Sequence, residues 1–485
     1  MTVQQNVMAF RGKLTAPHWI RWMAGVGACA ALAGGERGLA LEPEQILSPN
    51  LGKFAFQPQL DLSAQFTGNL FYGSDDPSPG GLVTLEREAT PIPPPILPPG
   101  QYPVTVNTPA GDGVESDLLW YISPGMEIQY GANPENSLSF GYFHDFILYT
   151  KNSEFNAGQD RLQFDARAQV GRFTLLGSDT ISWLDTILGG SIATAERVPV
   201  RRLYWLDNYR LTYDSSVKTD IYVVFNHDLQ DFLQSISLYD IGTIRGTAGF
   251  TYKPTERIGI FVEAGGGHTD VTANLPPPPG PNTMLPGEDS WVYGGFVGVR
   301  GTFTPRITGS VKVGYETRSF TGENVQGDGG GAVVGVGLTY TPTARLLVNL
   351  TYDRRVGVSS QFAGQSLKNG TAALTATQQL GTSGRWSVIG RLGFSHGNFS
   401  GQTQTAVGVI EGVGPAVFDY DIGRDDQTVT ASVGVQFQPR PWLTSALTYS
   451  FENYNADFND SYTALTTGLN DFVVNRVNLQ VSVGY

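Results

Sequence analysis

Four histidines, His144, His227, His268 and His396, are the side chains beyond Ala40 best suited to acid–base or metal chemistry. Two stand beside an aspartate, in "FHDF" at His144 and "NHDL" at His227. A catalytic dyad needs its two members within hydrogen-bond reach, whereas neighbours along a strand point to opposite faces. Solvated positions near a strand end account for these steps without catalysis. The only cysteine, Cys29, falls in the N-terminal stretch, so no disulfide or thiol chemistry is expected beyond it. No phosphate loop, paired-cysteine metal motif or zinc-protease helix occurs. The sequence therefore predicts no catalytic residue, no metal ligand and no cofactor.

The elements that would carry any function are strands. In "NRVNLQVSVGY", Val477, Leu479, Val481, Val483 and Tyr485 share one face and Arg476, Asn478, Gln480 and Ser482 the other. Val429 to Phe437, Leu346 to Tyr352 and Ile244 to Tyr252 alternate in the same way, a period of two and not of 3.6. Charged residues make up only 15% of the chain and aromatics 11%, with 60 glycines. A soluble enzyme typically has about 25% charged residues. No stretch outside the N-terminus reaches the roughly 18 apolar residues of a spanning helix. A membrane protein of this composition would cross with strands.

The N-terminus reads as a secretory leader. Arg11, Lys13 and Arg21 precede "WMAGVGACAALAGG", and small-x-Ala sites follow at Ala31-Leu32-Ala33 and Gly38-Leu39-Ala40. Loss of residues 1–40 would remove four Lys/Arg and one Glu and take the net charge from −13 to −16. So acidic a chain does not suit nucleic acid. The expected organisation is a leader at 1–40, a short periplasmic segment at 41–57 and a barrel at 58–485.

The turns repeat. "YKPTER" at Tyr252, "FTPR" at Phe303, "YTPTAR" at Tyr340 and "FQPRPW" at Phe437 each separate two alternating runs, as tight antiparallel links with proline kept out of the ladder do. In three of them a tyrosine follows the proline by ten positions, at Tyr315, Tyr352 and Tyr449. About ten tilted residues rise roughly 25 Å, the height of the apolar band on an outer-membrane barrel. Tyr252, Phe303, Tyr340, Phe437 and Tyr485 would then ring one membrane interface, and Tyr315, Tyr352 and Tyr449 the other. The opposite connections are long and polar, such as "NLPPPPGPNTMLPGED" and "GVSSQFAGQSLKNG". The insert from Pro77 to Pro103, with "PIPPPILPPG", reads as an extended extracellular loop.

Counting alternating runs from near 58–72 to near 471–485 gives 18, with 16 as the alternative if a hairpin is lost in the blurred region 159–214. The predicted fold is an all-β, transmembrane antiparallel barrel of about 18 strands, with short periplasmic turns and long extracellular loops. With apolar residues outward, Arg245, Arg300, Lys312, Arg391 and Arg476 line the pore, and so do Glu263, Glu316, Asp353 and Glu452. Two readings stay open: charges that pair with cross-strand neighbours in a wet lumen, and a basic constriction beneath an acidic mouth that favours anions.

"VGLTYTPTARLLVNLTYDRRVGVSSQF", "GRDDQTVTASVGVQFQPRPWLTSALTYSFENYNADFNDSYT" and the final "NRVNLQVSVGY" resemble the beta-barrel porin 2 family of outer-membrane proteins. The resemblance implies a location in the outer membrane of a Gram-negative-type bacterium, passage of polar solutes or export of exopolysaccharide, and no catalytic residue. It also implies that the terminal aromatic, Tyr485, is an assembly signal read by the barrel-assembly machinery. Other implied partners are outer-membrane lipid and lipopolysaccharide, and polysaccharide-export components. Competing classes are a non-conducting scaffold or adhesin barrel and, furthest away, a barrel enzyme. None of the four histidines is followed two positions later by Ser, as the His-x-Ser pattern of outer-membrane phospholipases requires, although "SHGNFSG" at His396 comes near it. Replacing Tyr485 with Asp should reduce the heat-modifiable, folded protein recovered from outer membranes, because the last strand must close the sheet and place an aromatic at the interface. Unchanged recovery would exclude that role.

Overall fold

The computed structural model describes residues 50–70, 81–91, 100–108, 115–133, 136–187, 199–234, 238–274, 287–321, 329–361, 364–400, 403–410, 414–460 and 471–484. The expected leader, most of the segment 41–57, and Tyr485 lie outside them. After the two-residue β1 (Asn50–Leu51) come β2 (Phe54–Thr67), β3 (Gly81–Pro91), β4 (Gly100–Thr108), β5 (Asp117–Asn133) and β6 (Asn136–Tyr149). Next are β7 (Ala157–Val170), β8 (Phe173–Ile187), β9 (Pro199–Ser216), β10 (Thr219–Phe232), β11 (Tyr239–Tyr252) and β12 (Ile258–Ala273). Then follow β13 (Ser290–Thr304), β14 (Ile307–Phe320), β15 (Gly329–Thr343), β16 (Leu346–Val358), β17 (Ser366–Leu380) and β18 (Trp386–Phe399). The chain continues through β19 (Thr403–Ile410), β20 (Gly414–Asp421), β21 (Arg424–Arg440), β22 (Leu443–Phe458) and β23 (Phe472–Val483).

Eighteen of these, β2, β5 to β18 and β21 to β23, form one closed antiparallel barrel. Closure falls on β2, which pairs with β23 on one side and β5 on the other: Leu62 lies between Val481 and Ile122. The blurred region resolves into β7, β8 and β9 with continuous register, which gives 18 strands and not 16. The first barrel strand begins at Phe54, ahead of the expected 58, because Phe54 to Gln57 already pair with Tyr130 to Glu127 of β5, and Pro58 sits inside it. The β2–β23 ladder starts only at Leu60, so no bond to β23 is lost at a proline that has no N–H to give.

The insert read as an extended loop is instead a hairpin, β3–β4, paired from Gly81↔Thr108 to Ala89↔Gly100. It joins a second hairpin, β19–β20, through β4–β19 and β20–β3, so the four strands close on themselves. These short strands carry no long alternating run, which is why the sequence did not mark them.

The barrel turns its apolar residues outward. Leu62, Ile122, Val223, Val297, Val313, Val433, Leu447 and Leu479 are all exposed, every second residue along their strands. A folded chain hides such a band only in hydrocarbon. At the short-turn rim, cross-strand aromatic pairs mark its edge: Phe54–Tyr130 at 5.0 Å, Phe173–Tyr213 at 4.9 Å and Trp386–Phe437 at 4.3 Å between centroids. Tyr252, Tyr340, Tyr315 and Tyr449 are exposed on the same outer surface. Leu479 is 53% exposed between Ala64 and Leu447, and Gln480 follows it on the opposite face. Leu479→Arg should cost about 2–4 kcal/mol of barrel stability and Gln480→Arg much less, read from urea unfolding in lipid vesicles. Equal losses would refute this assignment of faces.

Candidate functional site: the lumen wall and the strap at its mouth

All nine charged residues expected to line the pore lie on the face opposite the exposed apolar set. The structure then pairs several of them. Arg245 of β11 donates from Nη1 to Glu316 Oε1 of β14 at 2.6 Å, and Arg476 meets Glu452 at 2.8 Å. Arg300 of β13 reaches Asp220 of β10 at 3.2 Å and also donates to Thr251. Asp353 is held by Arg355, two residues along its own strand, at 2.7 Å. Glu263 accepts a bond from the Tyr222 hydroxyl at 2.8 Å. The cations and carboxylates therefore interleave and do not form two layers. Glu263 stands opposite Gly249, nearer the short-turn rim than Arg245 on the adjoining strand.

Glycine leaves room for the Glu316 side chain that receives Arg245. A Cβ on Gly294 would come within 2.8 Å of the Glu316 side chain and 2.9 Å of the Phe296 ring. Glu316 is only 2% exposed, so its charge depends on Arg245. Arg318 is also buried; it donates to Ser290 at 2.6 Å, Thr269 at 3.0 Å and the Val356 carbonyl at 3.4 Å. Near the short-turn rim, Tyr222 is clasped by Arg210, whose guanidinium carbon lies 3.8 Å above the ring. Sequence reasoning missed Asp220, Tyr222 and Arg318, because what singles them out is a partner two or more strands away, and Arg210, whose partner Tyr222 is on the adjacent strand but in no pattern the sequence shows.

Among the described residues the inner-face cations Arg391, Lys312, Arg210, Arg318 and Arg161 have no ion pair, and neither have the inner-face carboxylates Asp61, Glu127 and Asp145. Lys312 lies over the Phe296 ring at 5.2 Å, and Arg391 lines a polar hollow with Gln65, Ser432, Gln436 and Gln480. The unpaired groups are cationic along β14 to β18, where Lys312, Arg318 and Arg391 stand and Glu316 and Asp353 are already paired, and they are of mixed sign elsewhere on the wall.

At the long-loop end the connection between β16 and β17 folds inward as a strap. Tyr239 at the start of β11 donates its N–H to the Ser360 carbonyl at 2.8 Å, and Val358 packs on Tyr239 and Val271. On the other side Gln365, fully buried, donates to the Ile422 carbonyl at 2.9 Å and the Ser400 carbonyl at 3.2 Å. Gln361 accepts from Arg424, which is itself buried against Asp426 and over the Phe399 ring. β11 and β21 are far apart around the barrel, so the strap is anchored to two distant parts of the rim. Glycines at the head of β15 leave it room: a Cβ on Gly329 would meet Ser366 at 3.0 Å.

The histidines sit elsewhere. His144 meets Asp160 at 2.7 Å and His227 meets Asp207 at 3.1 Å, each across strands and not with its sequence neighbour. His268 bonds Asp270, two along its own strand, at 3.2 Å. These pairs lie on the outer face, part-way up the wall and not among solvated turns, each against an aromatic ring: Phe146, Trp205 and Trp291. His268, Asp270 and Asp289 place one ligand atom each within 4.8 Å of one another, the one group among the described residues with the spacing of a metal site.

A closed 18-strand barrel with an exposed apolar girdle and a charged interior has one location. This is an outer-membrane β-barrel. No family model matches the chain and no curated protein is similar to it, so the resemblance to the beta-barrel porin 2 family holds at the level of the outer-membrane barrel. Among solved structures it is similar to the outer-membrane protein OpdK of Pseudomonas aeruginosa, with 11% identity over 89% of this chain and 99% of that one and a TM-score of 0.39. OpdO of the same organism gives 9% identity, 88% and 97% coverage and 0.39. The siderophore receptor PirA of Acinetobacter baumannii gives 8%, 88% and 80%, and 0.39.

Gln365→Ala should leave the Ile422 and Ser400 carbonyls unbonded, at about 1–3 kcal/mol locally, and so loosen the strap. Amide exchange at Tyr239 should speed up while exchange in β22 stays unchanged. No change at Tyr239 would show that the anchor does not hold the strap.

Proposed function

We propose that the barrel is a passive outer-membrane channel for small polar solutes that favours anions. The observation that carries this reading is the charge left over on the lumen wall. Arg245, Arg300 and Arg476 are offset by Glu316, Asp220 and Glu452, whereas Lys312, Arg318 and Arg391 leave the stretch of wall from β14 to β18 cationic. Fixed charge on a narrow, low-dielectric wall concentrates counter-ions, so even two or three unpaired cations set the sign of selectivity. The strap argues for small solutes over a polymer, since a bulky chain would have to displace a buried, hydrogen-bonded segment. Transport is thus a matter of electrostatics and width, with no chemical step.

A second reading, a non-conducting adhesin or scaffold, draws on the two extracellular hairpins that close into a sheet of their own. Planar-bilayer recording separates the two. Measurable conductance is expected, with a reversal potential on the anion side at low salt. Arg391→Gln with Lys312→Gln should move it toward cations by well over half without loss of folded protein, and high salt should shrink the difference. Arg245→Gln should instead destabilise the barrel by about 3–5 kcal/mol, because it strands a buried carboxylate. A conducting protein without anion preference would leave a non-selective porin; silence in the bilayer would favour the adhesin.

A further inference from the structure

The outer face carries one feature that neither transport nor membrane insertion explains. On β16, β17, β18 and β21 two outward rows are stacked by the strand register. The lower, Tyr352–Ala372–Phe394–Val429, is apolar. Above it runs Arg354–Gly370–His396–Gln427; above that the wall turns inward with the strap, where Val356 is buried against the inner side of β15 and the Lys368 stem passes Gly331. Arg354, Lys368 and His396 line a single groove of 610 Å³, and its lower wall is Phe394 and Tyr352. Gly370 lies between Arg354 and His396 and keeps the floor open.

These cations differ from the paired ones. Arg245, Arg300 and Arg476 are offset in the lumen, and the other three histidines each hold an aspartate. Arg354, Lys368 and His396 have no ion-pair partner among the described residues, so three cations stand against the single carboxylate of the groove, Asp425, which accepts from the Asn398 amide at 2.6 Å. A cation on the lipid face is costly unless an anion meets it. The apolar row beneath fits a chain, and the cations above fit a headgroup at the height where headgroups lie.

We propose that this groove binds a phosphate-bearing lipid of the outer leaflet. The phosphate is bracketed by Arg354 and Lys368, with His396 as a further donor, and an acyl chain runs down over Gly370 and Phe394. Adjacent strands are about 4.8 Å apart, so Arg354 and His396 flank Gly370 at about twice that, a span two side chains close around one phosphate. The inference goes beyond the channel reading and does not depend on it.

Native mass spectrometry of the detergent-solubilised barrel, titrated with diphosphorylated lipid A, tests it. One phosphorylated lipid per barrel is expected at low concentration, and Arg354→Gln with Lys368→Gln should weaken it about tenfold or more, one lost charge-assisted contact being worth about that factor. The lumen variant Arg391→Gln should bind as the native protein does. Gly370→Leu keeps every cation but fills the floor; it should lose the lipid and retain any weak affinity for inorganic phosphate, which keeps the test decisive if the double variant does not fold. Equal binding of dephosphorylated lipid A, displacement by inorganic phosphate at equal molarity, or full binding by both groove variants would each overturn the proposal. Bilayer conductance of the groove variants should match the native channel, so failure here is distinct from failure of the transport reading.

Discussion

The structure rests on ring closure of one hydrogen-bonded sheet. In hydrocarbon an unpaired backbone N–H or C=O has no water to turn to, so an open edge is excluded and the last strand must meet the first. β2 meets that demand by pairing with β23 and β5 at once. Eighteen strands bring both ends of the barrel to the short-turn rim, and every register is fixed by which residues can face lipid. A slip by one residue would turn Leu479 inward and Gln480 into the bilayer.

That constraint explains what the sequence could disclose. Lipid on one side and water on the other impose a period of two, and the 18 barrel strands were legible from it, including the three between 157 and 216 where aspartates at 179 and 207 face outward and blur the alternation. The apolar-outward rule also put all nine charged candidates on the inner face. Their partners were not legible. Arg245 and Glu316 are 71 residues apart, and only the sheet order, which sets β11 three strands from β14, brings them within reach. The strap was hidden for a related reason: "GVSSQFAGQSLKNG" reads as a polar surface loop, yet Ser359, Ser360 and Gln365 are buried because their bonds go to backbone on remote strands.

Both faces pair part of their charge. Inside, water tolerates ions, and the wall pairs some of them across strands and leaves others of both signs open to the lumen. Outside, three histidines are each bonded to an aspartate, whereas Arg354, Lys368 and His396 of the groove on β16 to β18 have no ion pair among the described residues. The pairs on both faces follow from the same preference of a charge for a counter-charge where the dielectric is low.

The sheet formed by β3–β4 and β19–β20 has a consequence for recognition from outside the cell. Its two hairpins leave the barrel at different strands and are about 300 residues apart in sequence, yet they share one ladder. An antibody or phage that reads this surface therefore reads a discontinuous epitope. Peptides copied from either hairpin alone would lack half of it, and a substitution in the first could let the cell escape a binder selected against the second.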